Sequence, residues 1–151
     1  MGLEIEQKYL VKNDSYRGMS TSVREIRQGY LSRVPDRTVR VRTVDDKGFI
    51  TVKGLTRGLV RLEYEYEIPV TDARELLTLC APPVIEKRRY IVDYAGKKWE
   101  VDEFMGYLSP LVVAEIELNS EDEQYEIPPF IGKNVTGDPR YYNSNLSEPG
   151  N

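Results

Sequence analysis

Residues 3–11 read LEIEQKYLV, and their period-two pattern decides what kind of sheet the chain can build. Successive side chains of a strand point to opposite faces. Glu4, Glu6 and Lys8 therefore share one face, and Ile5, Gln7, Tyr9 and Val11 share the other. The charged face either meets bulk water or lines the inside of something wet. One strand does not choose between these, so the choice falls to its companions.

The same alternation recurs at 25–33, 37–44, 48–54, 60–68, 84–94, 97–104 and 111–119. Turn signals fall between several of these segments: VPD at 34–36, DDKG at 45–48, LTRG at 55–58 and YAGK at 94–97. Each segment carries charge on one face, and the segments sort by sign. Arg40, Arg42, Lys53, Lys87 and Arg89 form a cationic set. Glu63, Glu65, Glu100, Asp102, Glu115 and Glu117 form an acidic one. The opposite faces are expected to carry Val39, Val41, Leu62, Tyr64, Tyr66, Ile85, Trp99, Val101, Ile116 and Leu118. A solvated face mixes signs and uncharged polar groups, so this repeated sorting favours faces turned inward. Glu67, at a strand end just before Pro69, reads as a rim residue.

Closing the sheet into a barrel leaves no free edge. The expected fold is α+β: a closed eight-stranded antiparallel β-barrel with a few peripheral helices, as one domain over 1–151. The clearest helix lies in TDARELLTLCAPP at 71–83. There Asp72 can cap, Ala73, Leu76, Leu77 and Cys80 share a face, and Pro82 and Pro83 stop the element. Cys80 then reads as core. Residues 12–24 form a polar connector with room for a helical turn, and a short helix is expected around 139–147.

Composition narrows the chemistry. The formal charge of −4 gives no basic field for nucleic acid or anionic membrane. No apolar run approaches the roughly 20 residues of a membrane span, and no signal-peptide core is present. Cys80 is the only cysteine, which fits a reducing cytoplasm. The absence of histidine removes His-based metal sites, bases and triads. Any metal would be held by oxygen, which suits Mg, Mn or Ca.

So many charges cannot be buried dry; each needs a partner or water. A wet tunnel holding a polyanion and a divalent metal satisfies both sets. Arginine clasps phosphate oxygens by paired hydrogen bonds, and carboxylates hold Mg or Mn.

The segment EIEQKYLV resembles the E-x-E-x-K signature of the CYTH domain, or triphosphate tunnel metalloenzyme, superfamily. The resemblance continues, in order, through IRQGYLS, TVRVRT, TVKG, EYEIP, IEKRRY, WEVDEF, AEIEL and VTGDPRYYNSNL, and so covers essentially the whole chain. The compact length and C-terminal segment look like the short bacterial branch. The resemblance implies Glu4 and Glu6 as metal ligands, matched by Glu115 and Glu117, with Glu63, Glu65, Glu100 and Asp102 beside the metals. It implies Arg40, Arg42, Lys53, Lys87 and Arg89 as a phosphate clamp. Lys8 either binds phosphate or orients or deprotonates the attacking water. Tyr30 either assists Lys8 or fills core. Arg140 either stands at a tunnel mouth or anchors the tail by an ion pair.

The expected function is metal-dependent hydrolysis of a linear triphosphate, inorganic tripolyphosphate first, with Mg or Mn. The rival expectations are nucleotide chemistry (ATP hydrolysis or cyclisation to cyclic AMP) and a non-catalytic polyphosphate-binding module. The partner is then a small polyanion, with no nucleic acid or membrane. A homodimer stays open, since nothing in the sequence decides oligomeric state.

Overall fold

A computed structural model of the chain describes residues 2–146. Its strands are β1 (Leu3–Val11), β2 (Ser22–Ser32), β3 (Thr38–Val44), β4 (Lys47–Lys53), β5 (Val60–Ile68), β6 (Ala81–Tyr94), β7 (Lys97–Phe104), β8 (Val112–Glu117) and β9 (Ile131–Asn134). The sheet runs β5-β4-β3-β2-β6-β7-β8-β1-β9, and a further β5–β1 pairing closes the first eight strands into a barrel. Every pairing is antiparallel. One edge of β1 pairs β8 from Glu6 to Leu10. Its other edge pairs β5 from Leu3 to Ile5 and then β9 at Tyr9 and Val11. The closed eight-stranded barrel expected from the alternation is therefore present.

Several boundaries differ from expectation. β2 and β6 each begin three residues earlier than the period-two pattern implied. β9 was not anticipated: IGKN is short, holds a glycine and an asparagine, and has no alternation to read. Helix α1 (Tyr16–Met19) supplies the helical turn of the polar connector. Helix α2 (Val70–Leu77) starts after Pro69 rather than at Asp72, because proline is well suited to a helix start. The expected tail helix is broken into a 3₁₀ turn (Pro139–Tyr141) and helix α3 (Asn143–Leu146); its last expected residue, 147, lies outside the described residues.

Three apolar clusters hold the barrel. Outside, Trp99, Val101, Ala114 and Ile116 pack with Tyr9, Tyr16 and Phe130, so α1 and the segment after β8 cover that wall. Also outside, Ala73, Leu77 and Cys80 seat α2 on Val41. Glycines let the helix come this close: a Cβ at Gly48 would sit 2.6 Å from that of Ala73, and one at Gly29 would sit 2.8 Å from that of Cys80. The third cluster is Ile85, Phe104, Leu108, Val113 and Leu146. Ile85, expected on the outer face, shares the parity of Lys87 and Arg89. Phe104 shares that of Asp102, and Val113 that of Glu115. The bore is therefore apolar at one end and wet only over the remainder. Among the described residues, no helix is long and apolar enough to cross a membrane.

Candidate active site

The charged parity of the strands lines one cavity of about 490 Å³. Glu4, Glu6 and Lys8 enter it from β1, Tyr30 from β2, Arg40 and Arg42 from β3, and Lys53 from β4. Glu63 and Glu65 enter from β5, Arg89 from β6, Glu100 from β7, and Glu115 and Glu117 from β8. Register sets who meets whom. Glu6 stands opposite Glu117, Lys8 opposite Glu115, Lys53 opposite Glu63, and Thr51, hydrogen-bonded to Arg40, opposite Glu65. Among the residues expected as metal ligands, phosphate clamp or catalytic groups, Lys87 and Asp102 alone do not line it; they are buried inside the barrel beyond the cavity (1% and 2% exposed). Glu67 is exposed, as expected of a rim position.

The two signs interleave rather than forming separate basic and acidic halves. Lys8 Nζ is 3.7 Å from Glu115 Oε1, and Lys53 Nζ lies 3.4 Å from Glu4 and 3.8 Å from Glu63. Arg42 Nη2 donates to Glu65 at 3.0 Å. Beyond the cavity, deeper in the bore, Asp102 accepts from Arg89 Nε at 2.8 Å and Nη2 at 2.9 Å, and pairs with Lys87 Nζ at 2.8 Å. Burial pushes the Asp102 carboxyl up, but Arg89 and Lys87 outweigh it and hold it well below the usual range.

The lysines diverge. Burial lowers Lys87 to about 8 despite the pull of Asp102. Burial also opposes charge on Lys8, but Glu115 and Glu6 outweigh it and hold its pKa above the ordinary lysine value. Burial, then Arg40 and Arg89, brings the Arg42 guanidinium down to about 10, so it stays charged at neutral pH. Two buried guanidinium groups are left incomplete: among the described residues, Arg40 Nε and Arg42 Nε have no hydrogen-bond acceptor. Buried donors are normally satisfied; both Nε atoms lie out of reach of the cavity, and it is the rest of each guanidinium that lines it and can meet an anion.

The acids are crowded. Glu63 is pushed up to about 7 by burial and by sharing a hydrogen bond with Glu4. Glu6 is pushed well above the ordinary carboxyl range by burial, then by Glu115 and Glu4. Burial also raises Glu115, yet Lys8 and the hydrogen bond from Glu6 bring it down to about 2. Each pair, Glu4–Glu63 and Glu6–Glu115, thus shares a proton between two carboxyls. Among the described residues, no three acids already converge tightly enough to chelate an ion. The donor set nevertheless fits a hard divalent cation: it is all oxygen, and an ion could take the place of the shared protons.

The tail forms part of the cavity. Thr136, Tyr142, Asn143 and Ser144 line it. Lys8 Nζ donates to the Tyr141 carbonyl at 3.0 Å, the Lys8 amide donates to Thr136 Oγ1 at 2.8 Å, and Lys87 Nζ reaches Asn143 Oδ1 at 3.4 Å. Arg140 is ion-paired with Asp138 at 2.8 Å and lies outside the cavity lining, so its local anchoring reading is the one the geometry supports. Sequence reading missed Arg61, which lines the cavity and donates to the Gly54 carbonyl at 2.6 Å and to Thr38 Oγ1 at 3.0 Å. Its signal was available, because Arg61 has the parity of Glu63 and Glu65. The tail residues carried no periodic signal.

Comparison with known proteins agrees with this geometry. The family model of the CYTH domain matches residues 2–142. An inorganic triphosphatase of Acetivibrio thermocellus is 54% identical over 147 residues, covering 97% of this chain and 94% of that protein. An inorganic triphosphatase of Nitrosomonas europaea is 37% identical, covering 95% and 96%. A crystal structure of an inorganic triphosphatase superposes with a TM-score of 0.67 at 34% identity, covering 95% of this chain and 93% of that one. With a charged barrel interior in the family's motif order and a family match over nearly its whole length, the chain belongs to the CYTH domain family.

Proposed function

We propose that this protein hydrolyses a linear triphosphate, inorganic tripolyphosphate first, in a metal-dependent reaction inside the barrel. One observation carries the reading: the same cavity sets the cationic groups of Arg40, Arg42, Lys53 and Arg89 among crowded, proton-sharing carboxyl pairs. A polyanion satisfies the first, and a divalent cation satisfies the second. Relatives at 54% and 37% identity bear the name inorganic triphosphatase, which supports the substrate class.

Glu4, Glu6, Glu115 and Glu117 are the residues proposed to hold Mg or Mn, with Glu63, Glu65 and Glu100 beside them. Such an ion supplies Lewis-acid neutralisation of phosphate oxygens and activation of water. Arg40, Arg42, Lys53 and Arg89 hold the phosphate chain and offset its charge as it develops. Lys8, kept protonated by Glu115 and Glu6, positions phosphate or water rather than accepting a proton. Tyr30 is 4% exposed and lines the cavity beside these cations, where its hydroxyl can donate to a phosphate oxygen.

The test is phosphate release from tripolyphosphate and from ATP with Mg, Mn or a chelator, with cyclic AMP followed in parallel. Release from tripolyphosphate that the chelator abolishes is the expected result. Preferred turnover of ATP would move the reading to nucleotide chemistry. Tight tripolyphosphate binding without turnover under every metal would make the protein a binding module.

A further inference from the structure

Lys87 carries a buried charge that the cavity does not touch. It shares the inward parity of Arg89, yet it is 1% exposed and lies outside the cavity lining. Its Nζ pairs with Asp102 at 2.8 Å and reaches Asn143 Oδ1 at 3.4 Å. Asn143, unlike Lys87, does line the cavity. One carboxamide therefore stands between a buried cation and the wet part of the bore.

Chemistry fixes which way round that carboxamide sits. Lys87, at about 8, is charged at neutral pH, and an ammonium offers donors and no acceptor. Asn143 must turn its oxygen to Lys87, which turns its Nδ2 aside. Among the described residues that amide nitrogen has no hydrogen-bond partner, and it is not sealed from solvent. Its neighbours in the tail are already engaged. The Thr136 hydroxyl accepts from the Lys8 amide at 2.8 Å and donates to the Lys8 carbonyl at 3.3 Å. The Tyr141 carbonyl accepts from Lys8 Nζ at 3.0 Å. On the far side, Leu146 sits in the dry layer and its carbonyl accepts from the Tyr107 hydroxyl at 2.8 Å, while Asn145 Nδ2 donates to the Pro139 carbonyl at 2.8 Å. The tail is thus pinned on both sides of Asn143 without help from the Asn143 side chain.

We propose that Asn143 binds the phosphate chain, its Nδ2 donating to a phosphate oxygen while its Oδ1 accepts from Lys87. The inference rests on the triphosphatase reading of the same cavity. A hydrogen bond from an ammonium to one end of an amide polarises it and strengthens the donor at the other end. Lys87 thereby acts on the substrate without touching it, as the group that orients and polarises Asn143. Lys8, Lys53 and Arg42 already face Glu115, Glu4 and Glu65. The Asn143 amide has no such competitor and meets an incoming anion directly.

Calorimetric titration of the whole chain with tripolyphosphate in EDTA, together with KM and kcat under Mg or Mn, tests this. Asn143→Ala removes the donor and adds no charge. It should weaken tripolyphosphate binding and raise KM by about 10-fold, as expected for one hydrogen bond to a charged oxygen, with a smaller change in kcat. Asn143→Asp keeps an oxygen for Lys87 but offers no donor and brings a negative charge. It should melt no lower than the wild type in EDTA, yet bind tripolyphosphate about 100-fold more weakly. A side chain that only straps the tail predicts the reverse order, with Asn143→Ala melting lower and Asn143→Asp behaving as wild type. Unchanged affinity in Asn143→Ala overturns the inference, and so does wild-type affinity in Asn143→Asp. A wild type that neither binds nor cleaves tripolyphosphate overturns the triphosphatase reading and this inference together. A wild type that does both, beside an unaffected Asn143→Ala, overturns this inference alone.

Discussion

Replacing Asp102 by asparagine tests the electrostatic frame of the barrel. Asp102 takes two hydrogen bonds from Arg89 and an ion pair from Lys87, all within 2.9 Å, at 2% exposure. Asparagine keeps the volume but removes the charge and turns two amide protons toward two cations. Lys87 keeps a weak bond to Asn143 at 3.4 Å, and Arg89 keeps Glu100 at 3.3 Å, so neither cation is fully compensated. Breaking a buried pair by removing one partner costs about 3–5 kcal/mol. In a chain of this size each kcal/mol moves Tm by about 2–4 °C, so Asp102→Asn should melt about 6–20 °C lower without metal. The acid limb adds a signature. A carboxyl whose folded pKa is depressed contributes stability above its ordinary value of 3.8, and that stability is lost as pH falls toward the folded pKa. The gap between wild type and variant should therefore be widest near neutrality and close as pH drops below 4. Tripolyphosphate should stabilise the variant more than the wild type, because Arg89, which lines the cavity, is released to bind it. Thermal and urea denaturation in EDTA, with and without tripolyphosphate, measures all of this. If metal-free stability stays within about 1 kcal/mol of wild type while metal affinity falls, Asp102 is a ligand and not the clamp on Arg89 and Lys87.

Glu6→Gln should leave the metal-free protein as stable as wild type or more so, since it relieves repulsion from Glu115 and Glu4, yet lose about 100-fold or more in turnover; activity retained at limiting metal would count against its role. Arg42→Lys keeps the charge but not the guanidinium fork, so kcat/KM should fall about 10–100-fold, and wild-type kinetics would show that Arg42 contributes only field. Glu63, with its folded pKa raised to about 7, binds more protons folded than unfolded between about pH 4.5 and 7. Its contribution is therefore present below 4.5 and lost as pH rises through 7. Glu63→Gln in EDTA should gain stability relative to wild type across that window, and a flat difference would refute the shared proton.

Parity was legible in the sequence because a strand's side chains alternate whatever the strand packs against. It put Glu4, Glu6, Arg40, Arg42, Lys53, Glu63, Glu65, Glu100, Glu115 and Glu117 on one face each, and all of them meet in the cavity. The same rule would have added Arg61, which went unread because the acids after it dominated the strand. Closure was also legible: many short strands with apolar backs are most simply completed by leaving no edge. β9 and the broken tail helix were not, because IGKN and DPRYYNSNL have no period and owe their shape to what they pack on, β1 for one and Lys8, Lys87 and Tyr107 for the other.

Depth along the bore belongs to the tertiary structure alone. Lys87 and Arg89 are identical in parity and adjacent on one face, yet Arg89 reaches the cavity and Lys87 does not. The difference is that Phe104, Val113, Ile85 and Leu146 fill the barrel one layer further down. Pairing across the seam is also beyond sequence. Lys53 meets Glu4 because β5 closes against β1, which brings together residues 49 positions apart at 3.4 Å. Alternation fixes which way a side chain points, and so the sequence alone determined that the barrel's inside would be charged. Distance between strands remote in the chain depends on stagger and closure, so only the folded barrel decided which acid shares a proton, which guanidinium lacks an acceptor and which end of the bore is dry.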